Sequence, residues 1–72
     1  MYSVDFESST STTYDVKVYV THGYYKYSVK DMAQAISHGE ALMANQVYRR
    51  VNEHGEVEFH HVHKVKVCGP NL

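Results

Sequence analysis

Histidine is the residue type in this chain best suited to chemistry, with six copies in 72 residues. His61 and His63 are two positions apart, a spacing that points both rings the same way on a strand, and imidazole is a common zinc ligand. A zinc site needs three or four ligands, so His54, His22 or Cys68 would have to converge from elsewhere. Because no zinc-finger spacing is present, we predict no cofactor. His54, His61 and His63 remain the metal-ligand candidates.

Groups suited to catalysis are few. Cys68 is the only cysteine, and its sequence context is that of no known cysteine enzyme. Glu53, Glu56 and Glu58 fall on a predicted hairpin, where carboxylates usually form a solvated rim. The four glycines are widely separated, so there is no phosphate-binding loop. We therefore predict that the protein is not an enzyme.

Basic and aromatic side chains in the last third of the chain are better suited to binding a macromolecule. Lys64 and Lys66 alternate on a predicted strand, and Tyr48, Arg49 and Arg50 lie on the strand predicted before it. Lysine, arginine and tyrosine in this mixture can contact RNA or an acidic protein surface. Since the net charge is -1, nucleic acid is a less favoured partner than an acidic protein. We predict these five residues as the partner-binding site.

Length and composition predict one small domain, residues 1–72. No apolar run approaches the length of a membrane span, and no signal peptide is expected, so we predict no membrane partner. A single cysteine excludes an intrachain disulfide and favours the cytoplasm. Because so short a chain buries only a small core, the sequence leaves undecided whether the protein forms a homodimer.

The first half of the chain shows the alternation typical of strands. Residues 2–7 predict one strand, and the Ser/Thr-rich segment 8–13 predicts a hairpin loop leading to a second strand at Tyr14–Val20. A turn at residues 21–23 follows, and residues 24–29 predict either a further short strand or an extension of the hairpin.

A helix is predicted next, since Ser28 and Asp31 have the spacing of residues that cap a helix start. Apolar residues recur at three- and four-residue steps to about Ala44 and define the side that should lie on the sheet: Met32, Ala35, Ile36, Gly39, Leu42 and Met43. Gly39 either lets the helix approach the strands closely or ends a shorter helix at His38.

A strand around Tyr48 and a turn at residues 52–55 precede the longest predicted strand, residues 57–67, with Val57, Phe59, His61, His63, Val65 and Val67 on one face. The order is β-β-(β)-α-β-β. We predict an α+β fold in which a single antiparallel sheet of three to five strands carries one amphipathic helix on one face.

Residues 2–9, the Tyr14–Val20 strand, the single helix and above all residues 62–68 (VHKVKVC) resemble the small podophage proteins that inhibit bacterial RNA polymerase. Those proteins carry two alternating basic residues in the last strand, shortly before a cysteine. The resemblance implies that Lys64 and Lys66 contact the polymerase. The family uses arginine at these positions, and lysine lacks its bidentate geometry. The chain also has two segments that the family pattern lacks, residues 24–30 and residues 52–55.

These observations lead to the hypothesis of a non-enzymatic, phage-type modulator that binds and inhibits a bacterial host protein in the host cytoplasm. RNA polymerase is the first candidate target. The alternatives are an anti-CRISPR protein that binds a Cas effector, a histidine-based metal-binding protein, and a small nucleic-acid-binding module.

Overall fold

The computed structural model describes residues 4–8, 10 and 12–70. Six strands and one helix follow in the order β1 (Asp5–Ser8), β2 (Tyr14–Val20), β3 (Gly23–Val29), α1 (Met32–Asn45), β4 (Val47–Val51), β5 (Val57–His61) and β6 (Lys64–Gly69). The α+β class is confirmed, as is the packing of one helix against a sheet within the described residues. The two first residues of the predicted strand 2–7 lie outside the described residues.

The prediction of a single antiparallel sheet is wrong. Four strands form the main sheet in the order β1-β6-β2-β3, while β4 and β5 form a separate two-stranded sheet. Within the main sheet, β1 pairs with β6 in parallel and the other neighbours pair antiparallel. The last strand therefore lies at the centre of the main sheet, between the two strands that begin the chain.

The predicted hairpin loop at residues 8–13 is also wrong. β1 and β2 do not pair with each other, because β6 lies between them. A short polar connection predicts a hairpin only when the two strands have no better partner. Here β6, with Val65 and Val67, is a more apolar neighbour for β2 than the short polar β1 (DFES) would be.

The predicted strand 57–67 is two strands, with a change of pairing partner between them. β5 pairs with β4, and β6 pairs with β2. At the junction, the Val62 amide donates to the Gln46 carbonyl, and the His63 amide donates to the Tyr19 carbonyl. Val62 is buried and follows Glu58 and His60 on the inward side, whereas in β6 the inward residues are Val65 and Val67. The single face predicted from Val57 to Val67 is therefore wrong, since Val57 and Phe59 are exposed.

The core lies between α1 and one face of the main sheet. Val16 and Val18 of β2 face Val67 and Val65 of β6 in register, and all four are buried. Ala35 and Gly39 are the buried positions of the helix. A Cβ added to Gly39 would lie 3.2 Å from Val4 Cγ1 and 3.3 Å from Val65 Cγ1, and α1 continues past it to Asn45. Of the two alternatives for this glycine, close approach to the strands is therefore confirmed.

The helix start differs in detail from the prediction. Asp31 is the N-cap, and its carboxylate accepts a hydrogen bond from the Gln34 amide at 2.8 Å. Ser28 lies within β3 instead, where its hydroxyl donates to Asp15 at 2.7 Å. The turn at residues 52–55 is confirmed: the Asn52 side chain accepts from the amides of His54 and Glu56, and Gly55 has a positive φ of 78°.

Candidate protein interface

The face of the main sheet opposite α1 is open, since no described helix or strand packs on it. The pairing register places one set of lysines and tyrosines on this face, and we call it the lysine face: Lys17 and Tyr19 of β2, Tyr24 and Lys26 of β3, and Lys64 and Lys66 of β6. The helix that covers the other side leaves these side chains to solvent.

Three lysines form a row across three neighbouring strands. Lys17 lies directly opposite Lys66 on one side and directly opposite Lys26 on the other. Like charges at directly opposed positions destabilise a sheet. The chain therefore carries, at the middle of an exposed face, an arrangement that its own stability disfavours.

The two lysines predicted as partner contacts both lie on this face, and both form ion pairs with β1. Lys64 Nζ lies 3.1 Å from Asp5 Oδ2, and Lys66 Nζ lies 2.9 Å from Glu7 Oε2. The hydrogen bond and the charge of Lys66 lower the pKa of Glu7, and those of Glu7 raise the pKa of Lys66. The Lys64 side chain is 52% exposed and that of Lys66 only 24%, so Lys64 is the more accessible of the two.

Lys17 and Lys26 also lie on the lysine face, and sequence reasoning did not single them out as candidates. Among the described residues neither forms an ion pair. Lys17 instead lies over the Tyr24 ring, with Nζ 5.1 Å from the centroid. The alternation of β2 and β3 could have placed both lysines on the outer face, but only knowledge that β6 pairs with β2 brings them beside Lys66.

Two tyrosines complete the lysine face at one end. Tyr19 and Tyr24 are opposed across β2 and β3, with ring centroids 5.6 Å apart. Lys64 Nζ lies 5.8 Å from the Tyr19 centroid. Aromatic rings beside cations provide rigid contact area and are enriched at binding hot spots.

The other three predicted partner contacts are not brought together with Lys64 and Lys66. Tyr48, Arg49 and Arg50 lie on β4, in the two-stranded sheet. Tyr48 and Arg50 point inward: the Tyr48 ring packs on Tyr25 and Tyr27 of β3, and the Arg50 guanidinium lies over the Tyr25 ring at 4.7 Å. Arg49, on the opposite face of β4, is exposed.

Glu58 holds together the polar inner face of this second sheet. Its carboxylate accepts from Asn52 at 3.0 Å and from Arg50 at 3.1 Å, and its Oε1 lies 3.0 Å from His60 Nε2. These hydrogen bonds, that of Asn52 first, lower the pKa of Glu58. The His60 ring in turn contacts the Tyr25 ring in a tilted arrangement, with centroids 5.0 Å apart, so the hairpin attaches to β3 through a polar and aromatic contact.

The structure joins two of the three histidines predicted as metal-ligand candidates. The His61 and His63 rings are in edge contact, with centroids 4.7 Å apart, while His54 lies in the turn at the other end of the β4–β5 hairpin. Within the described part of the chain, no group of three or more His, Cys, Asp or Glu side chains is placed to hold a metal ion. Cys68 is a buried free thiol between Glu7 and Asp15 in the sheet register.

The one helix in the described residues is too short and too polar to cross a bilayer. Searches against family models, curated proteins and solved structures found no match to this chain.

Proposed function

We propose that this protein is a non-enzymatic, phage-type modulator that binds an acidic surface of a bacterial host protein through the lysine face and inhibits it, with RNA polymerase as the first candidate target. The observation that carries the proposal is the row formed by Lys66, Lys17 and Lys26. A carboxylate-rich partner would relieve the repulsion within this row, so that binding and the local electrostatics favour the same complex.

The class of target comes from the resemblance to the podophage polymerase inhibitors, and the surface chemistry agrees with an acidic protein. The resemblance nominates Lys64 and Lys66, which lie on the same face as the row. Their ion pairs with Asp5 and Glu7 leave them partly neutralised. Lys17 and Lys26 form no ion pair within the described residues, although the charge of Lys17 also lowers the pKa of Glu7, and we expect these two lysines to contribute most to affinity.

Lys17→Glu is the sharpest test of the proposal. The substitution replaces two like-charge oppositions with two opposite-charge ones, so the variant should be at least as resistant to urea as the parent. Binding to purified bacterial RNA polymerase, measured by biolayer interferometry, should nevertheless weaken by about tenfold or more. Inhibition of transcription in vitro should fall in parallel.

Lys30→Glu is the matched control, because Lys30 is an exposed lysine between β3 and α1 and not part of the lysine face. Its affinity for the polymerase should match that of the parent. The proposal fails if the protein does not bind the polymerase, or if Lys30→Glu weakens binding as much as Lys17→Glu. Binding to a purified Cas effector, measured in the same format, would favour the anti-CRISPR alternative over the polymerase proposal.

Tyrosines beside lysines on an open sheet also suit single-stranded nucleic acid, on which bases stack. Fluorescence anisotropy with a labelled single-stranded RNA separates this alternative from the proposal. Tight RNA binding that is lost in Lys17→Glu and weakens steeply with added salt would replace the acidic protein by RNA as the ligand.

A further inference from the structure

The β4–β5 hairpin presents its apolar face to solvent. The side chains on this face, which we call the outer hairpin face, are Val47, Arg49, Val51, Val57, Phe59 and His61. Phe59 is 69% exposed, and Val47, Val51 and Val57 are 44%, 54% and 45% exposed. A hairpin that packs on a domain normally turns such a face inward, so this orientation is the reverse of the usual one.

The inner contacts explain why the hairpin does not turn over. Tyr48, Arg50, Glu58 and His60 occupy the inner face. The Tyr48 and His60 rings and the Arg50 guanidinium contact the Tyr25 ring, and the Glu58 carboxylate lies within hydrogen-bond distance of Arg50 and His60. Turning the hairpin over would expose this network and bury Arg49 against β3. The apolar face is thus held outward by specific contacts, and its exposure is a property of the fold.

The charge on the outer hairpin face indicates which kind of surface can cover it. Its two ionisable side chains, Arg49 and His61, are both potential cations, and no described carboxylate lies on it. Arg49 is directly opposite Phe59 in the ladder. An arginine beside a phenylalanine at the centre of a small apolar face can be satisfied by another aromatic ring, through a cation–π contact.

We propose that the outer hairpin face is covered by the same face of a second copy of this chain. Two-fold symmetry about an axis parallel to the strands places β4 of one copy over β5 of the other. Each residue then meets the residue that opposes it in its own ladder: Arg49 lies over the partner copy's phenylalanine, and Val51 meets valine. A two-fold axis perpendicular to the strands would instead place Arg49 against Arg49 of the second copy. Repulsion between the two positive charges disfavours that arrangement.

The size of the face sets the strength expected. Five residues on each of two strands span about 16 Å by 10 Å, a footprint of roughly 160 Å². This footprint is well below the roughly 800 Å² per partner of a standard interface. The dimer should therefore form weakly and dissociate on dilution through about the micromolar range. The lysine face lies on the opposite side of the molecule and stays free in both copies.

Sedimentation velocity across about 5 to 500 μM chain tests the proposal. The parent should pass from monomer to dimer over this range. Phe59→Ala and Arg49→Gln should each raise the dimer dissociation constant by about tenfold or more. Because Phe59 and Arg49 are exposed in the monomer, both variants should keep the parent circular dichroism spectrum.

Tyr24→Ala is the matched control, since Tyr24 is an aromatic residue of similar exposure on the lysine face. It should leave the dimer unchanged. A chain that is monomeric at every concentration overturns the proposal, as does a dimer that Tyr24→Ala dissociates and Phe59→Ala does not. A monomer in which Phe59→Ala weakens polymerase binding would assign the outer hairpin face to the host protein instead.

Self-association through the outer hairpin face is independent of polymerase binding through the lysine face. Lys17→Glu should leave self-association unchanged, and Phe59→Ala should leave polymerase binding by the monomer unchanged. Loss of one property therefore does not imply loss of the other.

Discussion

The ion pair between Glu7 and Lys66 ties the first strand to the centre of the sheet. The two residues are far apart in the chain, and their side chains meet at 2.9 Å because β1 adds in parallel beside β6. Lys66 thus has two roles in this fold: it neutralises Glu7 and it forms the end of the lysine row. Its substitution alone would mix an effect on folding with an effect on binding.

Glu7→Gln should destabilise the protein at neutral pH and have no effect at strongly acidic pH. The pKa of Glu7 is lowered below its usual 4.5, so its contribution is present above that value and is lost as the pH falls through the folded-state pKa. The pKa of Lys66 is raised above 10.5, so the pair persists until the pH rises through that higher value. Urea unfolding of both proteins at about pH 7 and about pH 2 measures the difference.

The control for this pH dependence is Glu40→Gln, since Glu40 is exposed on α1 and has no ion pair among the described residues. It should cost little at either pH. An equal loss for Glu7→Gln at neutral and acidic pH would show that packing of the side chain, and not its charge, stabilises β1.

The helix begins at a cap that the sequence pattern placed one turn too early. Ser28 and Asp31 are both suited to capping, and the choice between them depends on where β3 ends. Pairing of β3 with β2 extends to Val29, which keeps Ser28 in the strand and leaves Asp31 to accept from the Gln34 amide.

Asp31→Ala should lower the free energy of unfolding by about 1 kcal/mol, the usual cost of losing an N-cap. Asp31→Asn keeps an acceptor oxygen and should recover most of that loss. Chemical denaturation measures both, and hydrogen exchange at the Gln34 amide should quicken in Asp31→Ala alone. If Ser28→Ala destabilised the helix as much as Asp31→Ala, the serine would be the true cap.

The molecule has a small valine core with apolar surface left over on the hairpin. Val18 is fully buried between the main sheet and α1, whereas Val51 is 54% exposed on the outer hairpin face. The same residue type therefore serves folding at one position and, by our proposal, association at the other.

Val18→Ala should cost about 2 kcal/mol of unfolding free energy, because two buried methyl groups are removed and a cavity remains. Val51→Ala should change monomer stability by less than about 0.5 kcal/mol. Thermal or urea unfolding at low micromolar concentration compares them, so that association does not contribute. Equal losses would mean that the outer hairpin face is already buried in the folded monomer.

Local patterns in the sequence predict the helix, most strand positions, the close approach at Gly39 and the turn at residues 52–55. Each of these depends on neighbours a few residues apart: side-chain periodicity, a small residue on a helix face, or an asparagine that bonds its own backbone. Lys64 and Lys66 could be placed on the polar side of their strand for the same reason.

Strand pairing was decided only by the tertiary structure. The sequence does not show that β6 inserts between β1 and β2, because the free energy of pairing depends on which distant strand offers the better apolar neighbour. That choice aligns Lys17 with Lys66, pairs Glu7 with Lys66 and breaks the predicted strand at Val62. The lysine face therefore arises from long-range pairing, which residue spacing along the chain does not record. The outer hairpin face belongs to a local hairpin, and its orientation is set by tertiary contacts with Tyr25 of β3.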